Sequence, residues 1–431
     1  MYASRGRHLC FTQPRHGCFT QPGVWLESPV SMVHWTERDR EFLRLALALA
    51  AKGEGFVEPN PMVGCVIVKG GRIVGTGYHR HFGGPHAERV ALRRAGSLAR
   101  GSCAYVTLEP CNHFGKTPPC AEALVRAGVT RVVVAIRDPN PMVAGRGIRR
   151  LRAAGVRVDL GLLRAEAMAL AAPFVKIHRE HRPYVILKWA QSIDGKIATW
   201  TGDSQWITSR ASRAAGHALR GRVDAVIVGV GTVLSDDPML TARLARPRRQ
   251  AVRVVLDTNL RTPPGAKLVK TARRVPTLIV TSKCQNVETS KRQNVEMSKS
   301  QKVKKSKRQN VVRLLRRRRR MLERAGCEIC EVDRERHGLN LVRLLDFLHG
   351  RGATNVLVEG GGEVLGSFVR AGLADEARVF VAPRLIGGHE APGPLGQDGP
   401  AMMGDITGTR VARIFTLGPD LCYNLRFRRE G

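Results

Sequence analysis

Short apolar runs alternate with helix-length segments along most of the chain, and this alternation most restricts the folds that the chain can adopt. In the first half, VGCVIV (63–68) and RIVGTGY (72–78) flank a KGG turn and predict a β-hairpin. Two further apolar runs, at 103–110 and 130–136, alternate with amphipathic helical patterns. This order predicts a layered α/β domain over residues 34–178.

A second α/β unit is predicted over residues 182–431. Its six short β-branched runs are separated by helix-length segments: YVILKWA (184–190), DAVIVGV (224–230), AVRVVLD (251–257), TLIVTS (277–282), NVLVEGG (355–361) and ARVFVAP (377–383). A chain of 431 residues is too long for one typical domain, and 43% hydrophobic residues are enough for packed cores. No run is long enough to be a membrane span.

The segments HAERVAL (86–92) and TLEPCNHFGKTPPC (107–120) supply three residues of the types that bind zinc. His86, Cys111 and Cys120 would leave one coordination position for water, which is the catalytic arrangement and not the structural one. Glu88 lies two residues from a ligand and is predicted to shuttle a proton during attack on an amidine carbon.

Five further histidines and cysteines are of the types that can bind a metal. His79 and His81 are ligands in principle, and His113, inside the cysteine loop, is interpreted as a substrate or supporting residue. Cys327 and Cys330 form a CEIC segment in a predicted strand. Side chains alternate between the two faces of a strand, so this spacing is poor for a shared metal and favours buried structural thiols.

Charge and cysteine content bear on the compartment and on partners. The ten cysteines are scattered, so a reducing cytoplasm is expected. The net charge of +35 would suggest nucleic acid, but residues 282–320 hold fifteen Lys or Arg against two glutamates. We therefore expect no specific nucleic-acid partner and no membrane contact.

Several motifs of the first half resemble those of a known family. PNPMVGCVIV, HAERVAL, TLEPCNHFGKTPPC and DPNPMVAGRGIRRLRAAGV resemble the deaminase half of the bifunctional deaminase/reductase enzymes of riboflavin biosynthesis. The resemblance implies a cytidine-deaminase-like three-layer fold for this half. It also implies that Asn60 orients a pyrimidine, which suits an amide that both donates and accepts.

Four stretches of the second half carry further signals. LKWAQSIDGKIAT (187–199), DSQWIT (203–208), GVGTVLSDDPMLTAR (229–243) and VLVEGGGEVLGSF (356–368) occur in this order. The last predicts a strand, a glycine turn and a helix N-terminus, which suits a phosphate group. Trp206 could cover a nicotinamide ring or pack in a core.

Together these stretches resemble the reductase half of the same family, a dihydrofolate-reductase-like domain that uses NADPH. The resemblance implies cofactor contacts at Ala190, Trp206, Thr232, Asp236, Thr258, Gly361, Gly362, Glu363, Val364, Leu365, Gly366 and Ser367. It implies substrate contacts at Ser204, Arg220, Leu240, Arg243 and Glu359. Arg220 and Arg243 can hold a phosphate, Glu359 can accept from sugar hydroxyls, and Lys188 and Asp236 are candidates for proton transfer. Leu240 could equally be a core residue.

The predicted function is zinc-dependent deamination of a phosphoribosylaminopyrimidine, followed by NADPH-dependent reduction of its ribosyl side chain to ribityl. The expected partner is therefore a small phosphorylated pyrimidine, and the family resemblance implies a homo-oligomer. Two alternatives remain: a deaminase whose reductase half is inactive, and a nucleic-acid base deaminase.

Two segments depart from the domain pattern. Residues 1–32 repeat CFTQP at 10–14 and 18–22 and are predicted to be a non-domain extension, with a transit peptide as the alternative. Residues 283–311 repeat Ser-Lys and Gln-Asn-Val at a period of eight and are predicted to be a disordered basic insert, with helix resuming near Val311. An RNA-binding segment is the alternative interpretation of this insert.

Overall fold

A computed structural model describes residues 34–113, 118–283, 299–336, 338–396 and 399–428. The predicted extension over residues 1–32 lies outside these residues. Among the helices that are described, none combines the length and the apolar character needed to cross a membrane.

The first unit is a three-layer α/β domain, as predicted. Its strands are β1 (Gly64–Lys69), β2 (Arg72–Tyr78), β3 (Cys103–Val106), β4 (Arg131–Val134) and β5 (Arg157–Leu160), and its helices are α1 (Glu37–Ala50), α2 (Ala87–Ala95), α3 (Cys120–Arg126), α4 (Arg146–Ala153) and α5 (Arg164–Leu170). The sheet order is β2-β1-β3-β4-β5, with β1 antiparallel to β2 and β3 and the remaining pairs parallel. Apolar clusters fill both faces of this sheet, so each face is covered by helices.

Local sequence explains where the first helix begins. The Thr36 hydroxyl accepts from the backbone N–H of Asp39, and the Asp39 carboxylate accepts from the backbone N–H of Thr36. This capping box pairs N–H groups that the first turn would leave without partners. Asp39 also accepts from Tyr105 and Arg131, which ties the start of α1 to the sheet.

Helix α6 (Ala172–Glu180) joins the two units. Val175 packs in the core of the first unit, while the Lys176 ammonium donates to Asp375 of the second unit at 2.5 Å. Both charged side chains are almost fully buried, with 5% and 4% exposure. A buried charge that loses its partner is strongly unfavourable, so this pair holds α6 against the second unit, while Val175 holds it against the first.

The second unit is built on a nine-stranded sheet. Its strands are β6 (Tyr184–Ser192), β7 (Ala225–Gly229), β8 (Val252–Leu256), β9 (Thr277–Ser282), β10 (Glu328–Val332), β13 (Asn355–Val358), β14 (Glu376–Ala382), β15 (Thr409–Leu417) and β16 (Asp420–Phe427), and β11 (Arg334–Glu335) and β12 (Gly338–Leu339) form a separate hairpin. Its helices are α7 (Arg210–Arg220), α8 (Val230–Asp236), α9 (Lys267–Lys270), α10 (Lys299–Arg324), α11 (Leu341–Gly350) and α12 (Gly362–Arg370). All six predicted runs form strands.

The order of this sheet decides which loops meet. The order is β10-β9-β8-β7-β13-β6-β14-β16-β15. The seven strands from β10 to β14 in this order run parallel to one another, whereas β16 is antiparallel to both β14 and β15. Because parallel neighbours end at one edge, the segments after β8, β7, β13 and β6 lie side by side.

The prediction of disorder through residue 311 is wrong for its last part. Helix α10 begins at Lys299, twelve residues before the predicted resumption at Val311. From 299 onwards the repeat consists mainly of Lys, Gln, Arg, Val and Ser without Gly or Pro, so it can continue a helix whose last turns are packed by Leu322. Residues 284–298 of the insert lie outside the described residues.

Candidate functional site

The three predicted zinc ligands meet where β3 ends and where α2 and α3 begin. His86 is the N-cap of α2, Cys120 is the first residue of α3, and Cys111 follows the end of β3. Their ligand atoms all lie within 4.8 Å of one another. The imidazole Nδ1 of His86 lies 3.5 Å from the Cys111 sulfur and 3.3 Å from the Cys120 sulfur. Two thiols and one imidazole at this spacing fit a tetrahedral zinc ion with one position open for water.

The two thiols differ in their readiness to ionise. A hydrogen bond from the Cys120 thiol lowers the pKa of Cys111 to about 4. Burial opposes this shift, and a hydrogen bond with His86 adds to it. The same hydrogen bond and burial raise the pKa of Cys120 well above its usual value. The pair therefore shares a proton, which a bound cation would displace.

Glu88 lies on the first turn of α2 and is 3% exposed. Burial raises the pKa of this carboxyl to about 7, although His86 opposes the shift. Its Oε2 atom is buried and has no hydrogen-bond partner within the described part of the chain. A buried carboxylate oxygen without a partner is costly unless a ligand or water completes it. Glu88 is also outside the metal-ligating group, as a proton shuttle requires.

Asn60 and His79 form a pair at the wall of the same cavity. His79 Nδ1 lies 3.1 Å from the carbonyl oxygen of Pro85, which can only accept, so this nitrogen carries the proton. Burial lowers the pKa of His79, which keeps the ring neutral. His79 Nε2 therefore accepts from the Asn60 amide nitrogen at 3.2 Å. This bond fixes the orientation of the Asn60 amide, because its nitrogen must face His79.

These residues line a cavity of about 420 Å³. Asn60, His79, Glu88 and Cys111 contribute polar walls. Phe174, Ile177 and His178 of α6 also line the cavity, although sequence patterns gave no indication that the connecting helix would reach this site. His113 lines the cavity, as expected for a substrate-contacting residue.

The other candidate ligands do not join the cluster. Across the residues that the structure describes, the group able to hold a metal contains His86, Cys111 and Cys120 and no further side chain. Cys327 and Cys330 are buried free thiols in the cores of the second unit, which agrees with the structural interpretation.

Glu109 is a functional residue that the sequence analysis missed. Its buried carboxylate accepts four backbone N–H groups, from Asp138 at 3.2 Å, Gly145 at 2.9 Å, Gly147 at 3.0 Å and Ile148 at 3.2 Å. It thus caps α4 and holds the segment that leads to Cys111. A Cβ atom added to Gly147 would lie 1.8 Å from the carbonyl oxygen of Pro110, so this glycine is required for the close approach. The signal was present, since the glutamate stands two residues before a predicted ligand.

The predicted reductase positions gather at the carboxyl edge of the second sheet. Thr258 follows β8, Thr232 lies on α8 just after β7, and Gly361 follows β13. Ala190 lies near the end of β6, the next strand in the sheet. Ligands of parallel α/β sheets bind at this edge, and the grouping fits an extended cofactor.

The glycines at the start of α12 have two different roles. A Cβ added to Gly362 would lie 2.7 Å from the backbone nitrogen of Gly396, and one added to Gly366 would lie 2.2 Å from the carbonyl oxygen of Leu395. These two glycines are therefore needed for packing against the neighbouring loop. A Cβ at Gly361 would meet no described atom within 4 Å. Open space and the N–H groups of the first helical turn thus coincide at Gly361, which suits a phosphate.

Arg220 and Glu359 bind each other. The guanidinium donates through Nε at 2.8 Å and through Nη2 at 2.7 Å, and both side chains are largely buried. The interpretation of Arg220 as a phosphate ligand and Glu359 as a sugar ligand did not anticipate this pairing. The half-buried Lys188 lies nearby, and loss of solvation lowers the pKa of its ammonium although Glu359 opposes the shift.

The remaining predicted positions differ in exposure. Trp206 is 56% exposed, and the guanidinium carbon of Arg213 lies 4.5 Å from its ring centre, so it is a surface ring and not a core residue. Leu240 and Leu365 belong to the apolar cores, so their side chains are structural. Asp236, Arg243 and Glu363 are exposed, Ser204 and Val364 are half-buried, and the Ser367 hydroxyl donates to the carbonyl oxygen of Glu363.

Comparison with known proteins covers nearly the whole chain. Residues 36–136 match the cytidine and deoxycytidylate deaminase zinc-binding region, and residues 183–423 match the RibD C-terminal domain. The riboflavin biosynthesis protein RibD of Aquifex aeolicus is 42% identical over 89% of this chain and 97% of the relative. The Escherichia coli protein of the same name is 39% identical over 90% of this chain and 99% of the relative.

Solved structures agree with these relatives. The diaminohydroxyphosphoribosylaminopyrimidine deaminase/5-amino-6-(5-phosphoribosylamino)uracil reductase of Thermotoga maritima superposes with a TM-score of 0.72 at 33% identity. That alignment covers 91% of this chain and 99% of the other. Acinetobacter baumannii RibD superposes with a TM-score of 0.71 at 33% identity, with the same coverage.

Proposed function

The chain belongs to the RibD family of bifunctional riboflavin biosynthesis enzymes, and from that premise we propose which of its residues perform the two reactions. The enzyme is a zinc-dependent deaminase and an NADPH-dependent reductase. It removes an amino group from 2,5-diamino-6-(5-phosphoribosylamino)pyrimidin-4-one and then reduces the ribosyl side chain to ribityl.

His86, Cys111 and Cys120 hold the zinc ion. Their mutual spacing within 4.8 Å is the observation that carries the proposal. When bound, zinc lowers the pKa of a water molecule and so supplies a nucleophile near neutral pH. The cavity beside these residues receives the pyrimidine.

Glu88 moves the proton. Its unpartnered Oε2 accepts a proton from the attacking water and delivers it to the departing amino group, which leaves as ammonia. A pKa near 7 suits a group that must both accept and release a proton. Asn60, whose amide is fixed by His79, orients the pyrimidine through hydrogen bonds to its edge.

The carboxyl edge of the second sheet binds NADPH and the sugar phosphate. Bound NADPH supplies the hydride that reduces the ribosyl carbon. The N–H groups at Gly361 receive a phosphate of the cofactor, and Thr232 and Thr258 flank the same edge. Glu359 keeps Arg220 in a fixed orientation, and the exposed Arg243 completes the anion site. The half-buried Lys188 donates the proton that accompanies hydride transfer.

The two-step reaction is testable on the purified enzyme. The deaminase substrate should release ammonia with or without NADPH, and NADPH should be oxidised only after ammonia has been released. Ammonia release is measured by a coupled assay and NADPH by absorbance. NADPH that is never consumed would indicate an inactive reductase half. Ammonia released from single-stranded DNA or RNA in place of the pyrimidine would contradict the proposed substrate.

Lys188→Met should lower reductase turnover on pre-deaminated substrate on the order of a hundredfold, because the proton donor is lost. The methionine keeps the length and apolar stem of the lysine, so the core around Phe380 should stay packed. Ammonia release from the first substrate should be unchanged, which is the internal control. Equal losses in both activities would mean that Lys188 is structural.

The enzyme is also proposed to be a cytoplasmic homo-oligomer without a nucleic-acid or membrane partner. All seven cysteines in the described part of the chain are free thiols, which suits a reducing compartment. Edge strand β15 exposes Val411 and Ile414, with 57% and 51% exposure, and an exposed apolar edge favours self-association. A monomer mass by light scattering would contradict the oligomer. Secretion with formed disulfides would contradict the compartment.

A further inference from the structure

A loop of the deaminase unit is held by arginines of the reductase unit. Residues 54–59 connect the short 3-10 turn after α1 (Ala51–Gly53) to Asn60 at the wall of the deaminase cavity. Arg222 pairs with the Glu54 carboxylate, and Arg248 donates to the Glu54 carbonyl and lies over the Phe56 ring at 5.1 Å. Arg249 donates hydrogen bonds to two further residues of this loop, Gly55 and Glu58.

Arg249 reaches three groups with one guanidinium. Its Nε donates to the carbonyl oxygen of Gly55 at 3.1 Å, and its Nη2 donates to the Glu58 carboxylate at 3.0 Å. Its Nη1 pairs with the carboxylate of Asp224 in its own unit. The Arg249 and Glu58 side chains are 19% and 10% exposed, so solvent screens their pairing only partly. A planar fork can bind these three acceptors at once, whereas a lysine ammonium cannot match their directions.

On the reductase side, hydrogen bonds tie this contact to the nine-stranded sheet. The second oxygen of Asp224 accepts from the backbone N–H of Thr354 at 2.8 Å, from its hydroxyl at 2.9 Å and from the backbone N–H of Asn355 at 3.1 Å. Asn355 is the first residue of β13, a central strand of the nine-stranded sheet. Arg249 is therefore anchored to the sheet that carries the reductase site.

The deaminase side leads directly to the cavity. The second oxygen of Glu58 accepts from the Gly55 N–H at 2.9 Å, which closes the loop on itself. The Asn60 N–H donates to the carbonyl oxygen of Val57 at 2.9 Å, and the Asn60 side chain binds His79. A shift of the loop would thus move Asn60 against the cavity in which Glu88 and the ligands lie.

We propose that Arg249 is a positioning residue for deamination, so that the reductase unit sets the orientation of Asn60 in the deaminase cavity. This inference rests on the proposed role of Asn60 in holding the pyrimidine. It predicts that Arg249, which lies at least 129 positions from every zinc ligand in the sequence, affects deamination through substrate binding and not through the metal.

The test compares full-length Arg249→Ala and Arg249→Lys with Arg246→Ala, which removes an exposed arginine from the same segment. Both Arg249 variants should raise the KM for deamination by about tenfold or more, since small displacements of orienting groups cost this much. The kcat, the zinc content and the reductase turnover should stay close to those of the wild type. Arg246→Ala should leave all four quantities unchanged.

A double-variant cycle separates positioning from simple interface packing. If Arg249 acts through Glu58, then adding Glu58→Gln to Arg249→Lys should raise the KM no further than the worse single variant. Should Arg249→Ala fail to fold, the lysine variant and this cycle still decide the question. An unchanged KM, or parallel losses of both activities and of zinc, would overturn this inference but not the proposed function. Absence of deamination in the wild-type chain would instead overturn the proposed function, and this inference with it.

Discussion

Glu88→Gln should keep its zinc and lose deamination by about ten-thousandfold, near the upper limit for general acid–base catalysis. The effect is large because one oxygen serves two proton transfers, from the attacking water and to the departing amino group. Glutamine preserves the shape of the side chain on α2 but cannot carry a proton between these groups. Metal analysis and ammonia release on the same preparation measure both quantities.

Two comparisons make this prediction specific. Glu122→Gln changes a glutamate of α3 that pairs with Arg126 and Arg150 outside the cavity, and it should have little effect on deamination. NADPH oxidation with pre-deaminated substrate should be nearly unchanged by Glu88→Gln. If the zinc content falls as far as the activity does, Glu88 is a structural part of the metal site and not its proton shuttle.

Glu109→Gln should have the opposite effect on zinc: the metal should be lost and deamination with it. Each carboxylate oxygen of Glu109 accepts two backbone N–H groups. In glutamine one of these oxygens becomes an NH₂ group that faces two N–H donors. Leaving two buried N–H groups unpaired costs roughly 2–6 kcal/mol, and the segment that bears Cys111 would have to move.

Zinc content, ammonia release and thermal unfolding of the Glu109 variant measure this outcome. Reductase turnover should persist, because the four backbone N–H groups that the Glu109 carboxylate accepts all belong to the first unit. Zinc retained at the wild-type level with normal deamination would show that α4 and the Cys111 segment do not depend on this carboxylate. The two glutamates thus provide paired variants with identical chemistry and opposite expected metal contents.

Much of the site followed from local sequence. His86 and Glu88 fall on the first turn of one helix, and Cys120 begins another, because capping position and helical period depend on neighbouring residues. The hairpin of β1 and β2 and the strands of the second unit were predicted for the same reason, since β-branched runs between turns are local signals. The error at residues 299–311 was also local, because an eight-residue repeat was taken to exclude a helix although its residue types permit one.

The tertiary structure alone decided which distant groups pair. Arg220 meets Glu359 across 139 residues, and Arg249 meets Glu58 across 191. Neither pairing is encoded in a periodicity or a motif, because both depend on how two sheets and their connecting helix pack. The same holds for Gly362 and Gly366, whose lack of side chains admits a neighbouring loop, and for Leu240 and Leu365, which lie in cores. The sequence by itself determined the chemistry of the zinc cluster, whose residue types and local positions are sufficient to indicate it. Only the packed chain determined how the groups around each site are held, because such contacts form between segments that are remote in sequence.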